Sequence, residues 1–78
     1  MQLGTRWTVG AEPPSRVPEV LAVAIASVEA DLETAGVDAS TWRWTLTFLE
    51  QRPIAELDDG TIVRLGYDGK AVIEEPTD

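Results

Sequence analysis

Apolar and polar residues alternate strictly along residues 41–48, which read Thr-Trp-Arg-Trp-Thr-Leu-Thr-Phe. One side of this alternation holds Trp42, Trp44, Leu46 and Phe48, and the other holds Arg43, Thr45 and Thr47. A period of two indicates a β-strand buried on one face, and aromatic residues and threonine suit such a surface. We predict a central strand that continues to about residue 49 or 50, with its three large rings at the centre of the core.

A second pattern, with helical spacing, covers residues 18–35. Its apolar stripe comprises Leu21, Ala24, Ile25, Val28, Leu32 and Ala35. Pro18 suits a first helical position, where its missing N–H would have no partner in any case. Gly36 stands where a left-handed C-terminal cap is expected. The pattern therefore predicts one amphipathic helix.

Shorter strands are predicted on both sides of these two elements. Residues 5–9 form the first strand, with Trp7 and Val9 on one side, and residues 10–15 form a linker around Pro13 and Pro14. A turn at residues 51–53 precedes strands at 54–58, 61–65 and 70–74. Asp59-Gly60 and Asp68-Gly69 predict the intervening turns, the first as a two-residue type I′ hairpin.

This order of elements predicts an α+β fold, with one amphipathic helix packed on a mainly antiparallel sheet in the order β-α-β-β-β-β. The last four strands would form an antiparallel meander. The first strand can join by a crossover or at an edge, and the pattern does not choose between them. We expect a single small domain over residues 1–78, with frayed ends at 1–4 and 75–78.

Cysteine and histidine are both absent. Disulfides, thiolate nucleophiles and thiolate zinc sites are therefore excluded, together with the commonest general base and metal ligand. Adjacent carboxylates at Asp58 and Asp59, with Glu56 nearby, suggest a metal site, but the hairpin turn explains them better. We expect no catalytic residues, no cofactor and no bound metal, and hence no independent enzyme.

The chain has a formal net charge of −8, with six scattered cations. Nucleic-acid and anionic-membrane binders need clustered cations, so neither direct partner is expected. No signal peptide or membrane span is apparent, and a cytoplasmic location is the expectation. Lys70 is the single lysine and asparagine is absent, which indicates a high-GC bacterium or its phage.

Acidic residues crowd the end of the predicted helix, at Glu29, Asp31, Glu33 and Asp38. The C-terminal end of a helix already carries partial negative charge, so acids there lower stability slightly. Three interpretations remain open at this point: a solvated face, a docking surface for a basic partner, or a weak divalent-cation site.

A second candidate surface lies on the sheet, where Ile54, Ile62 and Val72 alternate out of phase with the predicted core positions. A sheet covered on one face should be polar on the other. Either the Pro13-Pro14 loop or the first strand covers these residues, or they form an interface.

These surfaces lead to a hypothesis of a small, acidic, non-catalytic protein-interaction module. An inhibitor, an antitoxin-like protein and an accessory subunit all fit, with a protein partner that binds the acidic helix end or the apolar sheet face. The alternative is a structural homo-oligomer formed through Ile54, Ile62 and Val72 or through an open sheet edge. A third hypothesis is the small subunit of an enzyme.

Overall fold

The computed structural model describes residues 5–76. The elements in chain order are β1 (Thr5–Thr8), α1 (Glu19–Thr34), β2 (Arg43–Leu49), β3 (Arg52–Leu57), β4 (Ile62–Leu65) and β5 (Ala71–Glu74). The strands form one antiparallel sheet in the order β1-β2-β3-β4-β5, and α1 packs on one face of it. The predicted α+β fold and its meander are confirmed. The predicted frayed ends lie outside the described residues at 1–4 and 77–78.

β1 occupies the edge of the sheet beside β2, which answers the question that the sequence left open. Trp7 lies opposite Trp44 in this antiparallel pair, and the ladder extends one step further because Val9 N donates to Trp42 O at 3.0 Å. After β1 the chain runs over one face of the sheet toward the opposite edge, where α1 lies closest to β4 and β5. It then returns to β2. A helix thus connects two strands that are neighbours in the sheet.

The ends of α1 follow from Pro18 and Gly36. Pro18 has an extended ψ of 151° and is the N-cap, so the helix begins at Glu19, one position later than predicted. Gly36 has a φ of +76°. Its N–H donates to Glu33 O, and Val37 N donates to Leu32 O at 3.0 Å. This pair of bonds is the Schellman motif, and it needs a residue that tolerates the left-handed region.

The core lies between α1 and the covered face of the sheet. Its helix residues are Leu21, Ala24, Ile25 and Val28, with Leu32 half-buried. Its sheet residues are Trp7, Trp44, Leu46, Ala55, Leu57 and Val63. The predicted helix stripe is confirmed except at Ala35, which is exposed because it lies at the C-cap, where the helix ends.

The prediction that Trp42, Trp44 and Phe48 together form the centre of the core is wrong in part. Trp44 is fully buried at 0 % exposure, but Trp42 is half-buried and Phe48 is 38 % exposed. Phe48 lies at the hairpin end of β2, where the guanidinium of Arg16 covers its ring at 5.1 Å. The second central ring is instead Trp7, which stacks on Trp44 with a centroid separation of 6.4 Å and an interplanar angle of 16°.

The turn after β2 also differs from the prediction. β3 begins at Arg52, and Leu49 pairs with Arg52, so the turn consists of Glu50 and Gln51 alone. Both have positive φ, 53° and 68°, as a type I′ turn requires. Pro53 lies within β3, before the first residue that pairs with β4, so its missing N–H removes no bond to that strand.

The two Asp-Gly turns share one geometry, which is not the predicted two-residue type I′ turn. Gly60 and Gly69 have positive φ, but the aspartates before them do not. Leu57 N donates to Thr61 O at 2.8 Å, and Gly66 N donates to Lys70 O at 2.8 Å. Each bond closes a loop of three residues, in which a type I turn ends in a left-handed glycine.

Candidate interaction surfaces

Glu29 joins the helix to the sheet and to the linker. Its Oε2 accepts a hydrogen bond of 2.8 Å from Trp44 Nε1 and one of 3.3 Å from Gly10 N. The side chain is half-buried. Of the four predicted acidic docking residues, Glu29 therefore has a structural function that its position in the sequence did not reveal.

Glu33 and Asp38 are exposed on the rim of a cleft that also reaches Glu29. The cleft has a volume of about 490 Å³ and lies between the C-terminal half of α1, the end of β1 and the loop that leads to β2. The fold thus brings three of the four predicted acids to one concavity.

Asp31 faces the opposite side of the helix. It lines a second cleft, of about 290 Å³, together with Asp59 and Glu75. The acidic end of α1 consequently presents carboxylates on both flanks. No cation lies in the last turn of the helix to offset them.

Asp38 is held by the turn that follows it. Its Oδ1 accepts hydrogen bonds from Ser40 Oγ at 2.8 Å and from Ser40 N at 3.1 Å. The hydroxyl bond first, and the backbone bond second, lower the pKa of Asp38 below its ordinary value of 3.8. The carboxylate is therefore ionised and fixed in direction at the rim of the cleft.

The outward side of α1 is apolar where a solvated helix is normally polar. Val23 is 63 % exposed, Val20 is 38 % exposed, and Ala26 and Ala30 are exposed between Val23 and Glu33. The periodicity did not single out this surface, because alanine and valine on an outer face are individually unremarkable.

The sheet face opposite α1, here called the open face, carries Ile54, Ile62 and Val72 as predicted. In the register, Arg64 lies directly opposite both Ile54 and Val72 and separates them. Ile62 lies between Glu56 and Glu74 in the same way. All three apolar residues are half-buried, and charged side chains interrupt them.

Neither segment that could cover the open face does so within the described residues. The linker around Pro13 and Pro14 lies on the side of α1, since Val17 enters the core and Arg16 contacts the ring of Phe48. β1 lies in the plane of the sheet as its edge strand. Among residues 5–76, therefore, neither the linker nor β1 covers these apolar residues.

The open face also carries most of the positive charge, although the cations are scattered along the sequence. Four of the six cations share the phase of its residues: Arg6, Arg43, Arg52 and Arg64. The alternation contained this signal at Arg6, Arg43 and Arg64. Arg52 was missed because residues 51–53 were predicted to be a turn.

The carboxylates of the two Asp-Gly loops bind backbone groups. Asp58 Oδ2 accepts from Arg43 N at 3.0 Å, Asp59 Oδ1 from Thr61 N at 2.8 Å, and Asp68 Oδ1 from Lys70 N at 3.1 Å. Between residues 5 and 76, no three acidic side chains gather closely enough to hold a metal ion. Within the same residues, no helix has the length and apolar character that a membrane crossing requires.

Comparison with known proteins gives no assignment. No protein-family model matches the chain, and neither a curated protein nor a solved structure is similar to it.

Proposed function

We propose that this protein is a small non-catalytic interaction module that binds a basic protein partner through the outer side of α1 and the acidic cleft at its C-terminal end. One observation carries the proposal: exposed Val20 and Val23 lead along the helix directly to Glu33 and Asp38. An apolar surface that ends in carboxylates, of which Asp38 is held by Ser40, complements a partner segment with apolar and cationic residues.

The acidic residues at the helix end lower stability, which supports a functional explanation for their presence. Asp31 and Glu33 lie beside the negative end of the helix, where each acid costs a few tenths of a kcal/mol. Surfaces that bind a partner commonly retain such local costs. An inhibitor, an antitoxin-like protein and an accessory subunit remain alternatives within this class, and we place the activity in the cytoplasm.

The test is affinity capture from a lysate of the source organism, read by mass spectrometry at low and high salt. We expect one basic protein that is lost at high salt, because the Debye length shortens to about 3 Å at 1 M. The double variant Glu33→Gln and Asp38→Asn should lose this protein, and so should Val23→Ser.

The matched control is the double variant Glu12→Gln and Glu56→Gln, which removes the same charge from exposed positions outside the cleft. Recovery of the partner by the control but not by the cleft variant would support the proposal. Equal recovery by both, or recovery of the bait alone, would show that the acidic helix end is not a docking surface.

A further inference from the structure

The open face has the opposite charge to the rest of the molecule. Its strands carry the four arginines named above and two glutamates, Glu56 and Glu74, and Glu50 of the β2–β3 turn lines its concavity, which gives a net charge of +1 on a chain of net −8. The remainder of the chain therefore carries −9. At physiological ionic strength the Debye length is about 8 Å, so a group on the open face is governed mainly by its nearest charges.

A concavity lies on the open face at the end formed by the β2–β3 hairpin. It has a volume of about 240 Å³. Its lining comprises Leu49, Glu50, Arg52, Pro53, Ile54, Arg64, Leu65 and Tyr67. Two of the four arginines thus meet at a site that also presents aliphatic and aromatic surface.

Arg52 is held with its hydrogen-bond donors available. Its guanidinium lies over the ring of Tyr67, with Cζ 3.9 Å from the ring centroid. Stacking uses the flat face of the guanidinium and leaves its in-plane N–H groups free. Among residues 5–76, no carboxylate pairs with Arg52. An incoming anion therefore meets a positioned cation rather than a mobile one.

Arg64 is already partnered, but only on one side. Its Nε and Nη2 donate to Glu74 Oε2 at 2.9 and 2.8 Å, and both side chains are more than a third exposed. Exposed ion pairs of this kind contribute about 0–1 kcal/mol, so a competing carboxylate can share or replace Glu74.

The surroundings of the two arginines have the composition of a protein-binding surface. Tyr67 is 90 % exposed and Leu49 is 63 % exposed, which is unusual for residues of their size. Arginine and tyrosine are enriched among the residues that contribute most to binding at protein interfaces.

A nucleic acid fits this face less well than a protein does. Phosphate backbones are bound by runs of cations that neutralise several charges. Here Glu56 and Glu74 interrupt the arginines. The concavity is bordered by Leu49 and Ile54, and aliphatic side chains complement a peptide better than a sugar–phosphate chain.

We propose that the open face is a second docking surface, specific for an acidic protein segment, in which Arg52 and Arg64 bind a carboxylate while Leu49, Ile54 and Tyr67 contact an apolar neighbour. This surface is separate from the acidic cleft. A module with both surfaces can bridge a basic and an acidic protein.

The experiment is an NMR titration of the labelled full chain with a short synthetic peptide of alternating Glu and Leu, at physiological ionic strength. The probes for comparison are the same peptide with Gln in place of Glu, an oligothymidylate and inorganic phosphate. We expect the Glu peptide to shift the amides of Leu49, Ile54 and Tyr67 and the Nε–H of Arg52. We expect each of the other probes to bind more weakly.

Three variants assign the effect to the arginines. Arg52→Gln should weaken binding of the Glu peptide about tenfold, through loss of a charge-assisted contact. Arg16→Gln removes the same charge from the other side of the sheet and should change the affinity less than about twofold. Glu74→Gln releases Arg64 and should strengthen binding, which a misfolded variant cannot imitate.

Several results would overturn the proposal. They are the absence of shifts on the open face, equal binding of the Gln peptide, an equal loss from Arg16→Gln, and no gain from Glu74→Gln. Tighter binding of the oligothymidylate would assign the surface to nucleic acid, and tighter binding of phosphate would reduce it to a simple anion site. None of these results bears on the acidic cleft, so the proposed function is tested separately.

Discussion

The carboxylate of Glu29 accepts a 2.8 Å hydrogen bond from the indole N–H of Trp44. This bond joins the middle of the only helix in the described residues to the most buried ring of the sheet. It also satisfies a polar group that would otherwise be buried without a partner, at a cost of about 1–3 kcal/mol. An acid that belongs to a charged cluster in the sequence is thus hydrogen-bonded to a core residue in the fold.

Replacement of Glu29 should therefore destabilise the protein more than replacement of its neighbours. We expect Glu29→Ala to lower the free energy of unfolding by about 1–3 kcal/mol, since a hydrogen bond to a charged group is lost. Glu29→Gln keeps an acceptor and should cost less. Urea unfolding followed by tryptophan fluorescence measures both changes.

The matched control is Glu33→Ala, one turn further along the same helix and exposed. It makes the same chemical change without a hydrogen bond to the sheet, and its effect should stay within about 0.5 kcal/mol. If the two alanine variants were equally stable, the bond to Trp44 would have no energetic importance.

The two stacked tryptophans should respond differently to the same substitution. Trp44→Phe removes the donor to Glu29 and leaves a cavity, so we expect a loss of about 2–3 kcal/mol. Trp7 Nε1 is buried without a partner among residues 5–76. Trp7→Phe removes that unpaired N–H, which offsets the lost ring volume, and we expect a loss of less than about 1 kcal/mol.

Thermal unfolding of the two phenylalanine variants measures this difference. The variants serve as controls for each other, because both shorten one ring of the same stacked pair. A larger loss at Trp7 than at Trp44 would contradict the hydrogen-bond explanation.

The hairpin turn at Glu50 and Gln51 can be improved. Both residues have positive φ, which costs about 1 kcal/mol for a residue with a Cβ. Gln51→Gly combined with Glu50→Asn should therefore raise the free energy of unfolding by about 1 kcal/mol or more. Denaturant unfolding is the measurement.

Gln51→Ala is the control, because it shortens the side chain but keeps the Cβ that causes the strain. It should give no increase in stability. A Gly variant no more stable than the Ala variant would show that the turn is not strained.

Ser40 should control the titration of Asp38. In the folded protein the pKa of Asp38 is lowered by the Ser40 hydroxyl and then by the Ser40 amide. The unfolded chain therefore binds this proton more readily. The corresponding stabilisation is complete above the ordinary pKa of 3.8 and is lost as the pH falls through the lower folded-state value.

NMR titration of the Asp38 carboxyl group should show its pKa rise in Ser40→Ala, with a smaller loss of stability on acidification. Ser27→Ala is the control, since Ser27 is an exposed serine on α1. An unchanged pKa in Ser40→Ala would exclude the hydroxyl as the main cause.

Charge reversal at the helix end should separate stability from binding. Asp31→Lys places a cation beside the negative end of α1 and should raise the free energy of unfolding by about 0.3–1 kcal/mol. The same change should weaken attraction of a basic partner to that end of the helix. Glu19→Lys, in the first turn, should have the opposite effect on stability. Thermal unfolding of both variants measures these changes in stability. A change in the same direction in both variants would contradict the explanation from the helix dipole.

Much of the fold could be predicted from local patterns. The alternation around Trp44 and the spacing of Leu21, Ile25 and Val28 defined the two main elements, because strands and helices bury one face with periods of two and 3.6. Gly36 marked the helix end through its backbone freedom. The two Asp-Gly pairs marked the later turns, although not their type.

The candidate surfaces were predicted less completely, because their composition depends on which residues become neighbours in three dimensions. Glu29 and Glu33 are two identical residues one helical turn apart, and the sequence does not distinguish them. In the fold, only Glu29 is hydrogen-bonded to Trp44. Ile54, Ile62 and Val72 were placed on the correct face. In the sheet they are separated by Arg64, Glu56 and Glu74. This arrangement depends on strand register, which cannot be predicted from a local sequence pattern.

The sequence by itself determined the elements, their order and the absence of cysteine and histidine chemistry, since these depend on residue types and short-range periodicity. Only the tertiary structure decided that β1 lies beside β2, that Trp7 replaces Phe48 in the central stack, and that four arginines share the open face. The physical reason is that pairing of distant strands sets cross-strand neighbours, and those neighbours decide which side chains are buried and which charges stand together.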